Sequence, residues 1–341
     1  MKAIKFFAIS AMAAAMITSC SSEDELSQSN YPSDNIIRVT AGVNNAKTRA
    51  DGAGTELKND FSLTIVNKNT EKPELASKYS YTDKVFSKKS GDWACSETLL
   101  WQDSKTPVDI VAFAPAQKGK FNGVYDEGNT QPIQSIAYSV ADDQSTKSDN
   151  NDLLYYYAKD FTPGTSLVNK KLSIQFNHAF CMIDINVTLG TEFNKPKVLD
   201  DSPIVKVTLD GTKIEANVDV TKAATSVVTA SETAAATDIT TTKGTFTKAA
   251  NAEANAISRF SCIAIPQTVA ANTFKVSLMT AGKRYEWTSD KEITLQSGYR
   301  YTLELTMGND VVLLKGGSGS DNDGITAKPW TEGTGDSLET E

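Results

Sequence analysis

Between residues 171 and 189 apolar and polar side chains alternate with a period of two, so that Ala179, Cys181, Ile183, Ile185, Val187 and Leu189 fall on one face. A strand lying against a core gathers residues i, i+2 and i+4 in this way, whereas a helix would scatter them. The same period recurs at Ile37, Val39, Ala41 and Val43, at Phe61-Leu63-Ile65 and at Val108-Ile110-Ala112, each read as a half-buried strand. Further strands are predicted over 204–209, 213–220, 258–265, 273–280, 283–288 and 298–307, with Asp210-Gly211, Ala281-Gly282 and Ser297-Gly298 as turn signals. Many short strands with almost no helical period predict an all-β architecture of the sandwich type.

The first nineteen residues follow another pattern. Met1-Lys2-Ala3-Ile4-Lys5 is cationic, Phe6 to Met16 is apolar but too short for a permanent span, and Ile17-Thr18-Ser19-Cys20 reads as a small-residue cleavage site. Residues 1–19 are therefore expected to be a lipoprotein signal peptide. Acylation of Cys20 would supply several chains at about 0.8 kcal/mol per buried CH₂, enough for a stable membrane anchor. Residues 20–35 are expected to form an acidic tether, and Ser21-Ser22-Glu23-Asp24-Glu25 resembles the export signal of some Gram-negative lipoproteins that reach the outer face of the outer membrane.

Without the signal roughly 320 residues remain, enough for two domains of common size. Loss of Lys2 and Lys5 takes the formal charge from -8 to -10, and no basic run offers an electrostatic footprint for nucleic acid. With Cys20 lipidated, Cys95, Cys181 and Cys262 are left, an odd number whose spacing suits neither a disulfide scaffold nor a zinc site. The expected division is an N-terminal domain over 36–170 and a C-terminal domain over 171–341. The Ala/Thr-rich stretch 222–250 reads as a mobile loop or weakly held insertion. Gly316-Gly317-Ser318-Gly319-Ser320 reads as a flexible linker before a last apolar patch from Ile325 to Trp330.

Several ordered segments resemble one family. Gly91-Asp92-Trp93, Trp101 and Val108-Asp109-Ile110-Val111-Ala112-Phe113-Ala114-Pro115 are similar to a block of the fimbrillin and fimbrillin-like surface lipoproteins of Gram-negative anaerobes. Asp152-Leu153-Leu154-Tyr155, Phe176-Asn177-His178-Ala179-Phe180, Cys262-Ile263-Ala264-Ile265-Pro266-Gln267 and Gly298-Tyr299-Arg300-Tyr301 follow in the family's order, and the closing Ile325 to Trp330 fits its C-terminal pattern. The resemblance implies two transthyretin-like Greek-key β-sandwich domains in tandem and a subunit of type V pili. It also implies assembly by donor-strand exchange, in which an arginine-specific protease releases the N-terminal strand. Here that strand carries Ile37, Val39, Ala41 and Val43, and the cut falls between Arg49 and Ala50 within Lys47-Thr48-Arg49-Ala50-Asp51-Gly52-Ala53-Gly54. At about 1.5–3 kcal/mol for each large aliphatic, Ile37, Val39 and Val43 contribute about 5–9 kcal/mol gross, comparable with a domain's whole stability. Ile325, Ala327 and Trp330 are the candidate donor strand. The partners implied are other pilin subunits, the outer membrane through the lipid, the protease, and a host or bacterial surface glycan or protein.

His178 is the only histidine, so a Ser-His-Asp triad would have to use it, and its place in a strand pattern points to packing instead. Trp93, Trp101, Trp287 and Trp330 suit core or interface packing better than a sugar platform. Asp142-Asp143 and Asp149-Asn150-Asn151-Asp152 lack the spacing of a calcium loop and read as solvated turns. Asp336-Ser337-Leu338 fits a short O-glycosylation pattern. No enzyme activity, metal or cofactor is expected. The leading reading is a structural or adhesive pilus subunit (stalk, anchor or tip) on the cell surface, and the alternative is a non-polymerising surface lipoprotein that binds glycans.

Overall fold

The computed structural model describes residues 30–44, 55–116, 136–146, 152–195, 197–309, 312–314 and 325–329. In its first half lie β1 (Val39–Val43), β2 (Thr55–Glu56), β3 (Phe61–Asn67), β4 (Tyr81–Lys89), β5 (Asp92–Cys95), β6 (Val108–Ala114), β7 (Ile136–Ser139), β8 (Leu154–Phe161) and β9 (Leu172–His178). All but β7 form one sheet in the order β2-β1-β5-β4-β3-β6-β8-β9, and a further pairing of β1 with β9 closes it into a ring. Phe61, Leu63, Ile110, Leu172, Ile174 and Phe176 fill the ring with essentially no exposed surface.

The second half contains β10 (Cys181–Leu189), β11 (Ile204–Asp210), β12 (Glu215–Val218), β13 (Val228–Ala230), β14 (Ile239–Thr240), β15 (Thr242–Thr247), β16 (Ala256–Ala264) and β17 (Thr268–Val269). It continues with β18 (Lys275–Thr280), β19 (Arg284–Thr288), β20 (Ile293–Thr294), β21 (Tyr299–Met307), β22 (Val312–Leu314) and β23 (Ile325–Pro329). Its largest sheet runs β15-β16-β10-β21-β22 with β23 also on β21, and a second runs β14-β11-β18-β19. The molecule is all-β, as the alternation predicts. In β10 the odd-numbered residues from Cys181 to Leu189 are all fully buried, while the residues between them remain partly exposed. The turn at Gly211 has φ +88, and a Cβ there would lie 2.1 Å from the Thr273 carbonyl oxygen, so the turn requires glycine.

Three expectations change. Residues 222–250 carry β13, β14 and β15 and bury Val227, Val228 and Ile239 in the second core. Few large apolar residues are needed there because each strand borrows its stability from a longer neighbour, β15 from β16 and β14 from β11. The boundary at 170/171 also moves. Leu172–His178 belongs to the first sheet, whereas Ile136–Ser139 pairs with β12 and Gln144 bridges Ile263, donating to its carbonyl at 2.9 Å and accepting from its N–H at 2.8 Å. Finally, β3 and β6 are buried at every position instead of on one face. The second face of this region is covered because Val66, Val111, Phe113 and Tyr155 join Phe180, Ile183 and Ile136 in the core of the second half.

Candidate functional site

The strand that closes the ring is held unevenly. Along β9 it makes a full parallel ladder, with Val39, Ala41 and Val43 opposite Leu172, Ile174 and Phe176. Against β5 the pairing is the single position Val39 opposite Trp93, and against β2 it covers Gly42 and Val43. The segment before β1 is tied to the 99–101 strand end, where Ile37 N–H donates to the Leu99 carbonyl at 2.9 Å and Trp101 N–H to that of Asn35 at 2.8 Å. Ile37, Val39 and Val43 point into the ring at 6%, 3% and 5% exposure, and Ala41 is half-buried. These are the residues the alternation assigns to the inward face.

Polar contacts fix both ends. Arg38 donates two hydrogen bonds to Asp34, at 2.9 and 2.6 Å, and Ile36 N–H donates to the same carboxylate at 3.1 Å. The guanidinium and that N–H hold the Asp34 carboxyl well below the usual carboxylate range. At the other end Asn44 Nδ2 donates to Asn177 Oδ1 at 2.8 Å, and Asn44 N–H donates to the Phe176 carbonyl at 2.7 Å. Taking this strand away would expose the unpaired edge of β9 together with Leu99, Trp101, Leu172, Ile174 and Phe176, a slot shaped to receive another extended segment. Sequence reasoning did not single out the Asp34–Arg38 clamp or Asn177; their signal is only a polar residue beside a strand end, too common to stand out.

The other anticipated residues fall as follows. Cys20, Arg49, Ala50 and Trp330 lie outside the described residues. Ile325 and Ala327 sit in β23, which pairs antiparallel with β21 of the same chain, Ile325 opposite Leu303 and Ala327 opposite Tyr301. Ile325 is half-buried, while Thr326, Ala327 and Lys328 are exposed, so this strand is laid on an edge and is not packed within a core. His178 is buried with its Nδ1 2.6 Å from Asp152 Oδ2, at the end of β9. Cys181 and Cys262 are free, buried thiols whose ionisation burial pushes up strongly, and Cys181 Sγ donates to the Ala264 carbonyl at 3.2 Å. Trp101 is buried against Phe161, Trp93 lies edge-on to Phe61 and Trp287 edge-on to Phe274. None of these three presents an open face for stacking a sugar. Asp142 and Asp143 accept hydrogen bonds from the backbone of their own turn.

A family model described as fimbrillin-like matches residues 48–330, beginning just after β1. Among solved structures, a protein of Bacteroides ovatus assigned to cell adhesion superposes with a TM-score of 0.59 at 16% identity, covering 86% of this chain and 97% of its own. A second protein assigned to cell adhesion, from Bacteroides uniformis, gives 0.52 at 12% identity over 88% of this chain and all of its own (100%). A fimbrial protein of Bacteroides vulgatus gives 0.50 at 15% identity, covering 87% and 99%. At such identities the likeness concerns the fold. The sequence matches no curated protein.

Proposed function

The chain belongs to the fimbrillin-like family, and from that premise we propose that it is a structural or adhesive subunit of a type V pilus, as stalk, anchor or tip. In this reading Cys20 carries the lipid that holds the precursor at the outer membrane. An arginine-specific protease cuts between Arg49 and Ala50, β1 leaves, and a strand from a neighbouring subunit takes its place. Two transthyretin-like domains, the N-terminal one completed by the exchanged strand, make up the subunit.

The observation that carries the reading is the position of β1: a strand with one full ladder and three buried aliphatics, closing a ring whose other members are contiguous. Its side chains are worth about 5–9 kcal/mol gross on burial, an upper estimate since unfolded chains already hide some apolar surface. An emptied slot therefore demands a replacement. The packing of Trp93, Trp101 and Trp287 gives the glycan-binding alternative no support from an aromatic platform.

The test is electron microscopy of cells expressing the protein, with and without an arginine-specific protease. Filaments that depend on both the protease and Arg49 are the expected result. Lysine in place of Arg49 with filaments unchanged would rule the trigger out, and palmitate incorporated into a Cys20→Ser variant would rule out the anchor.

A further inference from the structure

The slot left by β1 has a recognisable grammar. Opposite Leu172, Ile174 and Phe176 it takes a large, a small and a large residue, Val39, Ala41 and Val43, with Thr40 outward between the first two. The segment Ile325-Thr326-Ala327-Lys328-Pro329 repeats that order: β-branched aliphatic, threonine, alanine, a spacer, then an apolar residue. We infer that residues 325–329 of a second copy enter the slot parallel to β9, with Ile325 in the place of Val39, Ala327 in that of Ala41 and Pro329 in that of Val43. This rests on the strand-exchange reading above and adds orientation and register to it.

Two further observations fit. In the parallel ladder Arg38 accepts from Leu172 N–H and Asn44 donates to the Phe176 carbonyl, so the even-numbered residues turn their peptide groups to β9. The N–H of Val43 therefore faces away from β9, and a proline there forfeits no bond to it. In its present seat on β21 the segment leaves Thr326, Ala327 and Lys328 exposed, whereas the slot would cover Ala327 and bury Ile325 fully. A slip of one residue would turn every side chain to the wrong face. A slip of two would force a larger residue against Ile174, where only Ala41 now sits.

The experiment uses the full-length Ser173→Cys protein cut within 45–54, incubated with synthetic 322–333 peptides carrying cysteine at 326 or at 328, and mass spectrometry of the disulfides formed. Unsubstituted protein and an intact 35–46 peptide serve as controls. Because Thr40 lies opposite Ser173, the inference expects crosslinking at 326 at least tenfold above that at 328, and at least tenfold weaker entry when Ala327 is replaced by Leu. Crosslinking mainly at 328 overturns the inference, since it marks the antiparallel arrangement. Re-entry of the 35–46 peptide without entry of 322–333 overturns it while leaving the slot exchangeable. If neither peptide enters, the strand-exchange reading falls and the inference with it.

Discussion

His178 and Asp152 meet at the point where the ring ends and the second half begins. The imidazole is 5% exposed and its Nδ1 stands 2.6 Å from the carboxylate, which also bears on Tyr138, whose hydroxyl is pushed up to about 12 by burial and then by that charge. Removing one partner of such a contact leaves the other desolvated without compensation. His178→Ala is accordingly expected to lower stability by about 2–4 kcal/mol, read from urea unfolding, with Asp152→Asn costing less because an amide oxygen can still face Nδ1. A loss under 0.5 kcal/mol for His178→Ala would show that the pair contributes nothing. The single histidine was legible as structural because it interrupts an apolar period. Its partner, 26 residues away in sequence, was not, since nothing in Asp152-Leu153-Leu154 announces which strand end it will meet.

Among elements, β1 and β23 answer different tests. The sequence holds five arginines, and Arg38 lies within the strand that must leave. Its carbonyl accepts from Leu172 N–H at 2.8 Å and its guanidinium is clamped by Asp34, so the bond after it is held in a ladder and closed to a protease cleft. Digestion of the folded protein with an arginine-specific protease should yield no new terminus at Val39, while Asp34→Ala with prolonged digestion should begin to; N-terminal sequencing distinguishes the two. For β23, deleting residues 320–341 removes a strand whose central side chains are exposed. The expected loss is about 1–2 kcal/mol, or a few degrees in melting temperature, and a collapse of the second half on deletion would mean that the strand is integral. Long alternations such as 181–189 were legible because every second residue is a large aliphatic. The stretch 222–250 was not, because Thr and Ala are neutral in pattern and β13 to β15 form only where β12, β11 and β16 offer them an edge.

For the molecule as a whole, the decisive fact is that Val66, Val111, Phe113 and Tyr155 from the ring lie in the same core as β10 and β21. Two domains joined by a linker would melt separately. These are expected to unfold together, with calorimetric and van't Hoff enthalpies equal, and Phe113→Ala should lower a single transition; two resolved transitions would contradict the shared core. Alkali should act on the same assembly. Burial pushes Tyr138 and Tyr301 up from 10.0 to about 12 and raises Tyr155 and Tyr156 as well. The folded state thus keeps protons that the unfolded state gives up, and stability that is complete below pH 10 should fall as pH rises from about 10 to 12. A melting temperature constant to pH 12 would refute it. The shared core was hidden from sequence because it depends on which outward faces happen to meet. One consequence of the parallel ladders remains, and it is mechanical. In β10 and β21, eight residue pairs from Met182 opposite Arg300 to Leu189 opposite Met307 run in the same direction. Tension applied at the leading end of β10 and the trailing end of β21 slides the strands past one another. All the rungs between them then share the load, instead of opening one at a time as an antiparallel hairpin does when its two ends are pulled apart.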